Sequence, residues 1–303
     1  MVSFSDYLSK KSLSSDLVSI VKDIVGASQR IYEVLHHGVE GKTGVVNATG
    51  DEQVAMDVLS NDLLVDTCKK NKAVGLVGSE ELEEPLAMDR GGYAVVFDPL
   101  DGSSLVDVNL TVGTIIGIFE GKNLLGKTGR DQIASLVIVY GPRLTFLVTF
   151  KDGVDGFLYD PEKGDFVLEH EKIQLKDFGS IMAPGNIKII GTDPWYFELL
   201  EGMAKNGYAL RYSGGMVPDV NQILLKGGGA YFYPGSQEKP NGKIRLLYES
   251  APMALLVEQA GGRASNGREN ILDIQITEYH QRTPLFIGSS NEILLVETRI
   301  KSL

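Results

Sequence analysis

Tyr93-Ala94-Val95-Val96-Phe97-Asp98-Pro99-Leu100-Asp101-Gly102-Ser103-Ser104 is an apolar β-type run that ends in two carboxylates three residues apart and then in Gly-Ser-Ser. Asp98 and Asp101 offer the oxygen ligands that a hard cation such as Mg2+ prefers. Beyond them, backbone N–H groups and two hydroxyls suit a phosphate, and Gly102 permits a turn with positive φ. A cation beside a phosphate is what phosphoryl transfer needs, because catalysis there is mostly positioning and charge neutralisation. The same residues also read as an Asp-Pro turn followed by an Asp-Gly turn, both common. The rest of the chain has to separate the two readings.

Further acidic residues stand at predicted element boundaries: Asp51, Asp57, Glu80-Glu81 and Glu249. Glu80 and Glu81 follow the apolar run Val74-Gly75-Leu76-Val77 as Asp98 follows Val95-Val96-Phe97. If the two strands are neighbours, their ends bring these carboxylates together. Glu249 precedes a helix predicted over 250–260, where the helix dipole favours an anion. Clustered carboxylates repel one another and call for cations. Glu83 and Glu84 read as a solvated acidic loop. Basic and hydroxyl groups suited to a second phosphate gather in the second half: Arg211, Tyr212, Tyr233, Lys243, Arg245 and Tyr248.

The 303 residues suffice for one large domain or two ordinary ones. A 43% hydrophobic and 23% charged composition is that of a globular protein. The net charge of −11 argues against nucleic acid or an anionic membrane as partner. No apolar run approaches the roughly 20 residues of a membrane span. No signal or transit peptide is visible, so a cytoplasmic or organellar-lumen location is expected. The single cysteine, Cys68, reads as a small buried residue in a reducing compartment.

Periodicity predicts helices over 15–35, 52–70, 194–206, 219–225 and 250–260, and a loop over the Gly-rich stretch 38–50. Strands are predicted over 74–77, 93–97, 112–119, 134–140, 144–150, 157–159, 166–168, 208–212 and 230–233. A β-rich middle flanked by helix–strand alternation suggests an α/β protein of stacked helical and sheet layers.

The segment Asp98 to Ser104, with Val112-Gly-Thr-Ile-Ile-Gly-Ile118 after it, resembles the signature of sugar bisphosphatases of the fructose-1,6-bisphosphatase class 1 family. The resemblance runs from about residue 50 to 290. It includes Gly50-Asp-Glu-Gln-Val54, Asp57-Val-Leu-Ser-Asn61, Thr128-Gly-Arg-Asp-Gln132, Tyr140-Gly-Pro-Arg143, Arg211 to Gln222 and Lys243 to Glu249. Within that family, Gly214-Gly-Met-Val-Pro-Asp-Val-Asn-Gln222 and Pro184-Gly-Asn186 look more like the sedoheptulose-1,7-bisphosphatase branch. Tyr233-Pro234 and Asn241-Gly-Lys243 look like the fructose branch.

The resemblance implies a layered α/β/α/β/α sandwich, with a metal-binding half over 1–180 packed tightly on a sugar-phosphate half over 181–303. It implies hydrolysis of the 1-phosphate of sedoheptulose 1,7-bisphosphate, with fructose 1,6-bisphosphate as the alternative. An inositol-phosphate phosphatase and an inactive sugar-phosphate sensor rank lower. Glu80, Glu81, Asp98, Asp101, Glu249 and the Leu100 carbonyl would ligate about two or three Mg2+ ions, with Mn2+ as a substitute. Gly102, Ser103 and Ser104 would hold the 1-phosphate. Asp57 and Glu81 would relay the proton of the attacking water, and Asp51 would lie on a mobile loop over the metals. Arg211 would reach a neighbouring subunit's site in a homodimer or homotetramer. Tyr212, Tyr233 and Lys243 would bind the distal phosphate, and Asn186 and Met216 would line the sugar. The N-terminal region lacks the Gly-Thr-Gly AMP motif of the fructose enzyme, and 38–47 lacks the regulatory cysteine pair of plastid relatives, so neither control is expected.

Overall fold

The computed structural model describes residues 2–37 and 52–303. The Gly-rich stretch 38–50 and Asp51, and with them the loop expected to cover the metals, lie outside the described residues. The chain opens with α1 (Phe4–Ser9), α2 (Ser15–His37) and α3 (Glu52–Lys70). The strands β1 (Val74–Ser79), β2 (Leu86–Ala87), β3 (Tyr93–Asp101), β4 (Val112–Glu120), β5 (Gln132–Tyr140), β6 (Leu144–Thr149), β7 (Asp155–Asp160) and β8 (Asp165–His170) follow. They form one sheet in the order 2-1-3-4-5-6-7-8. Next come β9 (Ile181–Pro184), α4 (Pro194–Lys205), β10 (Ala209–Leu210), α5 (Met216–Lys226) and β11 (Ala230–Tyr233). The last elements are α6 (Ala251–Gln259), β12 (Arg263–Ser265), β13 (Leu285–Gly288) and α7 (Ser290–Lys301). The second sheet runs 10-9-11-13-12.

The alternation of strand side chains sorts them into two cores. Val95 and Phe97 face α2 and α3, in a core with Ile24, Ile31 and Leu64. Ala94 and Val96 face the other way, into a core shared with α5, α6 and the second sheet. A third core holds Tyr196, Phe232, Phe286 and Val296, so α4 and α7 cover the far side of the second sheet. The layers are therefore helix, sheet, helix, sheet, helix, as the resemblance implied.

Two departures from the predicted elements bear on the site. The helix expected over 219–225 begins earlier, at Met216, after Gly215 in extended geometry. The 208–212 strand shrinks to Ala209–Leu210. The approach of α5 to the first sheet depends on Gly113 in β4. A Cβ there would overlap Val217 Cγ1 and the Ile138 carbonyl oxygen.

Candidate active site

β1 and β3 are parallel neighbours, with Ser79 opposite Phe97. Glu80, which extends β1, and Asp98 thus emerge side by side, as the paired apolar runs suggested. Pro99 has no N–H to give to β4, and the β3–β4 register shifts between Asp98 and Asp101. The Thr114 hydroxyl donates to the Pro99 carbonyl at 2.8 Å and fixes the bulge. Gly102 then takes φ 79°, and Ser103–Leu105 form a single 3-10 turn. The opening stretch is both readings at once: its turns aim the carboxylates.

Asp98 and Asp101 meet Glu249, with one oxygen of each within 4.8 Å of the others. All three are buried. Asp98 accepts from the Leu100 N–H at 3.0 Å, Asp101 from the Val217 N–H at 2.7 Å and Glu249 from the Arg245 N–H at 2.6 Å. These bonds favour the charged forms, but burial and mutual repulsion win. Burial above all pushes Asp101 up to about 7 and Glu249 up to about 8, and carries Asp98 well above the usual carboxylate range. Three buried carboxylates with converging oxygens, none of them in an ion pair among the described residues, fit a divalent cation.

Glu249 lies in a π-turn, Leu246–Ser250, ahead of α6, rather than at the start of the helix itself. Glu80 does not join the three. It forms an ion pair with the Arg245 guanidinium, although burial still raises its carboxyl. Arg245, grouped by sequence with the distal-phosphate cations, therefore serves the acidic end instead. Tyr248 is fully buried with its ring 5.3 Å from that of His280, and it does not line the cavity between the turn after β9 and the segment after β11. Glu81 is exposed and its N–H donates to Ser79 Oγ at 3.2 Å. Asp57, on α3, hydrogen-bonds with Ser103, and burial together with Glu81 and Glu80 pushes its carboxyl up to about 7.

A cavity of about 1020 Å3 opens between the turn after β9 and the segment after β11. Asn186, Tyr212, Tyr233 and Lys243 all line it. Asn186, at φ 47°, donates from Nδ2 to the Pro234 carbonyl at 2.8 Å, tying the two walls together. Tyr212 precedes Ser213, whose N–H bonds Asp219 of α5, the helix whose Val217 N–H bonds Asp101, and Lys243 lies two residues from Arg245, whose N–H bonds Glu249, so the cavity adjoins the acidic centre. Met216 is not part of the lining. Its side chain is in the core, and its backbone N–H hydrogen-bonds Asp101. Arg211 is exposed and bonds the Leu210 carbonyl of its own chain at 2.8 Å. Sequence reasoning missed Lys188, Thr192 and Lys239, which share the cavity. Lys188 carried a local signal, two residues after Asn186.

Residues 6–171 match the N-terminal domain of fructose-1-6-bisphosphatase, and residues 175–301 its C-terminal domain. The chain belongs to the fructose-1,6-bisphosphatase family. A class 1 fructose-1,6-bisphosphatase of Syntrophotalea carbinolica is 41% identical over 298 residues, 97% of this chain and 92% of the relative. One from Geobacter sulfurreducens is 41% identical over 95% of this chain and 92% of its own length. Among solved structures, the holo form of Leishmania major fructose-1,6-bisphosphatase superposes with a TM-score of 0.90 at 34% identity, over 99% of this chain and 98% of the other. A Toxoplasma gondii protein provisionally named a sedoheptulose-1,7 bisphosphatase gives 0.89 at 33%, over 99% and 98%. With the family comes the class of reaction: these are metal-dependent sugar-bisphosphate phosphatases, hydrolases of phosphate esters. The curated relatives carry the fructose name, so the lean toward the seven-carbon branch is not supported by them. Among the described residues, no helix is long and apolar enough to cross a membrane.

Proposed function

We propose that this chain hydrolyses the 1-phosphate of fructose 1,6-bisphosphate in a Mg2+-dependent reaction. The observation that carries the reading is the adjacency of two differently charged ends. A buried acidic centre at Asp98, Asp101 and Glu249 adjoins a cavity bearing Asn186, Tyr212, Tyr233 and Lys243. A ligand with a phosphate at each end suits that pair, whereas a monoester would use only one.

Asp98, Asp101 and Glu249, with Glu80, Glu81 and the Leu100 carbonyl, would hold the Mg2+ ions, which neutralise phosphate charge and polarise the ester. The residues of the chain do the rest. Backbone N–H groups after Gly102 and the hydroxyls of Ser103 and Ser104 hold the 1-phosphate. Tyr212, Tyr233 and Lys243 hold the distal one, with Asn186 beside the sugar. Asp57, whose carboxyl stands near 7, accepts the proton of the attacking water, with Glu81 as its relay partner. The P–O bond to the sugar breaks, giving inorganic phosphate and the ketose monophosphate.

Sedoheptulose 1,7-bisphosphate is the second reading, favoured by the likeness to the Toxoplasma structure and by the size of the cavity. Phosphate release from the two bisphosphates, with and without Mg2+, tests both. Asp98→Ala is expected to abolish turnover while the circular dichroism of the fold persists. Mg2+-dependent activity retained in that variant refutes the assignment.

A further inference from the structure

We propose that Lys188 is a specificity-determining residue, an ammonium that sets how long a ketose bisphosphate the distal subsite accepts. This rests on the bisphosphate reading above and extends it to the length of the sugar. Lys188 lies in the 3-10 turn Ile187–Gly191. Ile189 anchors that turn in the third core while Lys188 stays exposed, lining the cavity. The facing wall is a turn closed by Ser236 N–H to the Lys239 carbonyl at 3.0 Å and Gly242 N–H to the Lys239 carbonyl at 2.9 Å. It presents Lys239 and Lys243.

Three ammoniums thus face one cavity in a chain of net charge −11, and Glu238 is the sole carboxylate of its lining. Ten other basic side chains of the described residues are held by carboxylates. None of these three is paired with a carboxylate of the described residues, and unlike the other unpaired lysines they line one cavity together, so their charge is available to a ligand there. Lysine is a point charge on a flexible stem and follows a phosphate whose position varies, which the planar fork of arginine does less well.

The two walls differ in reach. Lys243 is two residues from Arg245, which holds Glu80 and Glu249, so it stands on the wall joined to the acidic centre. Lys188 comes instead from the turn after β9, with Thr192, in a segment with no such bond to the acidic centre among the described residues. A distal phosphate on a six-carbon chain meets Lys243 first, and one carried a carbon further comes under Lys188.

The test is steady-state kinetics of the Mg2+-loaded full chain on fructose 1,6-bisphosphate, sedoheptulose 1,7-bisphosphate and fructose 1-phosphate. Lys188→Gln is expected to lower kcat/KM for the seven-carbon substrate about tenfold, mostly through KM, and for the six-carbon one by at most about threefold. The monophosphate, which has no distal phosphate, should change less than about twofold, and Lys188→Arg, which keeps the charge on a less adaptable head, should restore only part of the loss. Equal effects on both bisphosphates, or none, overturn the proposal. A wild type that releases phosphate from neither bisphosphate would instead overturn the functional reading on which it rests.

Discussion

Replacing Gly113 by Ala tests whether the close approach of α5 to the first sheet builds the acidic centre. The added Cβ would overlap Val217 Cγ1 and the Ile138 carbonyl oxygen and lie 2.9 Å from Val217 Cβ. One obstacle is backbone in the neighbouring strand, so a rotamer change alone cannot relieve it. Overpacking of this kind costs about 1–3 kcal/mol. The obstacle places this site at the upper end, and the roughly 0.5–1 kcal/mol by which Ala is preferred to Gly in a strand offsets part of it. A net loss of about 2 kcal/mol corresponds, for a chain of 303 residues, to a melting temperature lower by about 3 °C. Moving α5 outward also stretches the 2.7 Å bond from the Val217 N–H to Asp101. A hydrogen bond to a charged group is worth about 1.5–3 kcal/mol, and losing half of it weakens cation binding about tenfold. Differential scanning fluorimetry in chelator reads the first effect and isothermal titration with Mn2+ the second. Gly113→Ala/Val217→Ala, which removes the nearest side-chain atom, should recover part of both. A Gly113→Ala protein that melts within about 1 °C of wild type and binds Mn2+ equally well would refute the reasoning.

Three further outcomes follow from the site. In chelator, the melting temperature should fall as pH rises from the unfolded carboxylate range to about 7 to 8 and then level off. Asp98, Asp101 and Glu249 have folded pKa values raised by burial, so the folded state binds more protons and their contribution is complete only below the unfolded carboxylate range. Saturating Mg2+ should flatten that fall, and a flat profile in chelator would contradict it. Asp57→Asn should lower kcat roughly 10²–10⁴-fold and remove the acid limb of the pH–rate profile, since the wild-type base works only above its own pKa, about 7 in the protein without bound metal. Lys243→Gln should raise KM for fructose 1,6-bisphosphate about tenfold with kcat nearly unchanged, as expected for binding shared by ground and transition states.

The layered fold was legible because its strands are read locally. The runs 93–97, 112–119 and 134–140 each alternate between two buried faces, the run 74–77 is buried throughout, and each is a strand. The short elements of the second sheet were harder. Ile181–Pro184 and Leu285–Gly288 are four residues each, too short for a period to declare itself, and they pair across about a hundred residues of chain through β11. The same distinction runs through the site. Asp98 and Asp101 share one bulge, so their convergence is local. Arg245 and Glu80 are 165 positions apart, and only the folded chain shows that this guanidinium serves the acidic end. Met216 was misplaced for a related reason. Its backbone N–H, not its side chain, reaches the site, and residue type carries no signal of that.

The charge of the whole chain and the charge of its substrate pull in opposite directions. A protein of net charge −11 repels a bisphosphate at long range, and screening shortens that repulsion to about 8 Å at physiological salt. Within that distance the local arrangement governs. At one end, three buried carboxylates crowd together and burial and repulsion raise all three, so gathering their negative charge there is costly and a bound cation would offset that cost. At the other end, Lys188, Lys239 and Lys243 line one cavity and form no ion pair with a carboxylate of the described residues. A monoester would leave those three repelling one another across the cavity. A second phosphate neutralises them, so the same electrostatics that disfavour the empty site favour a ligand charged at both ends.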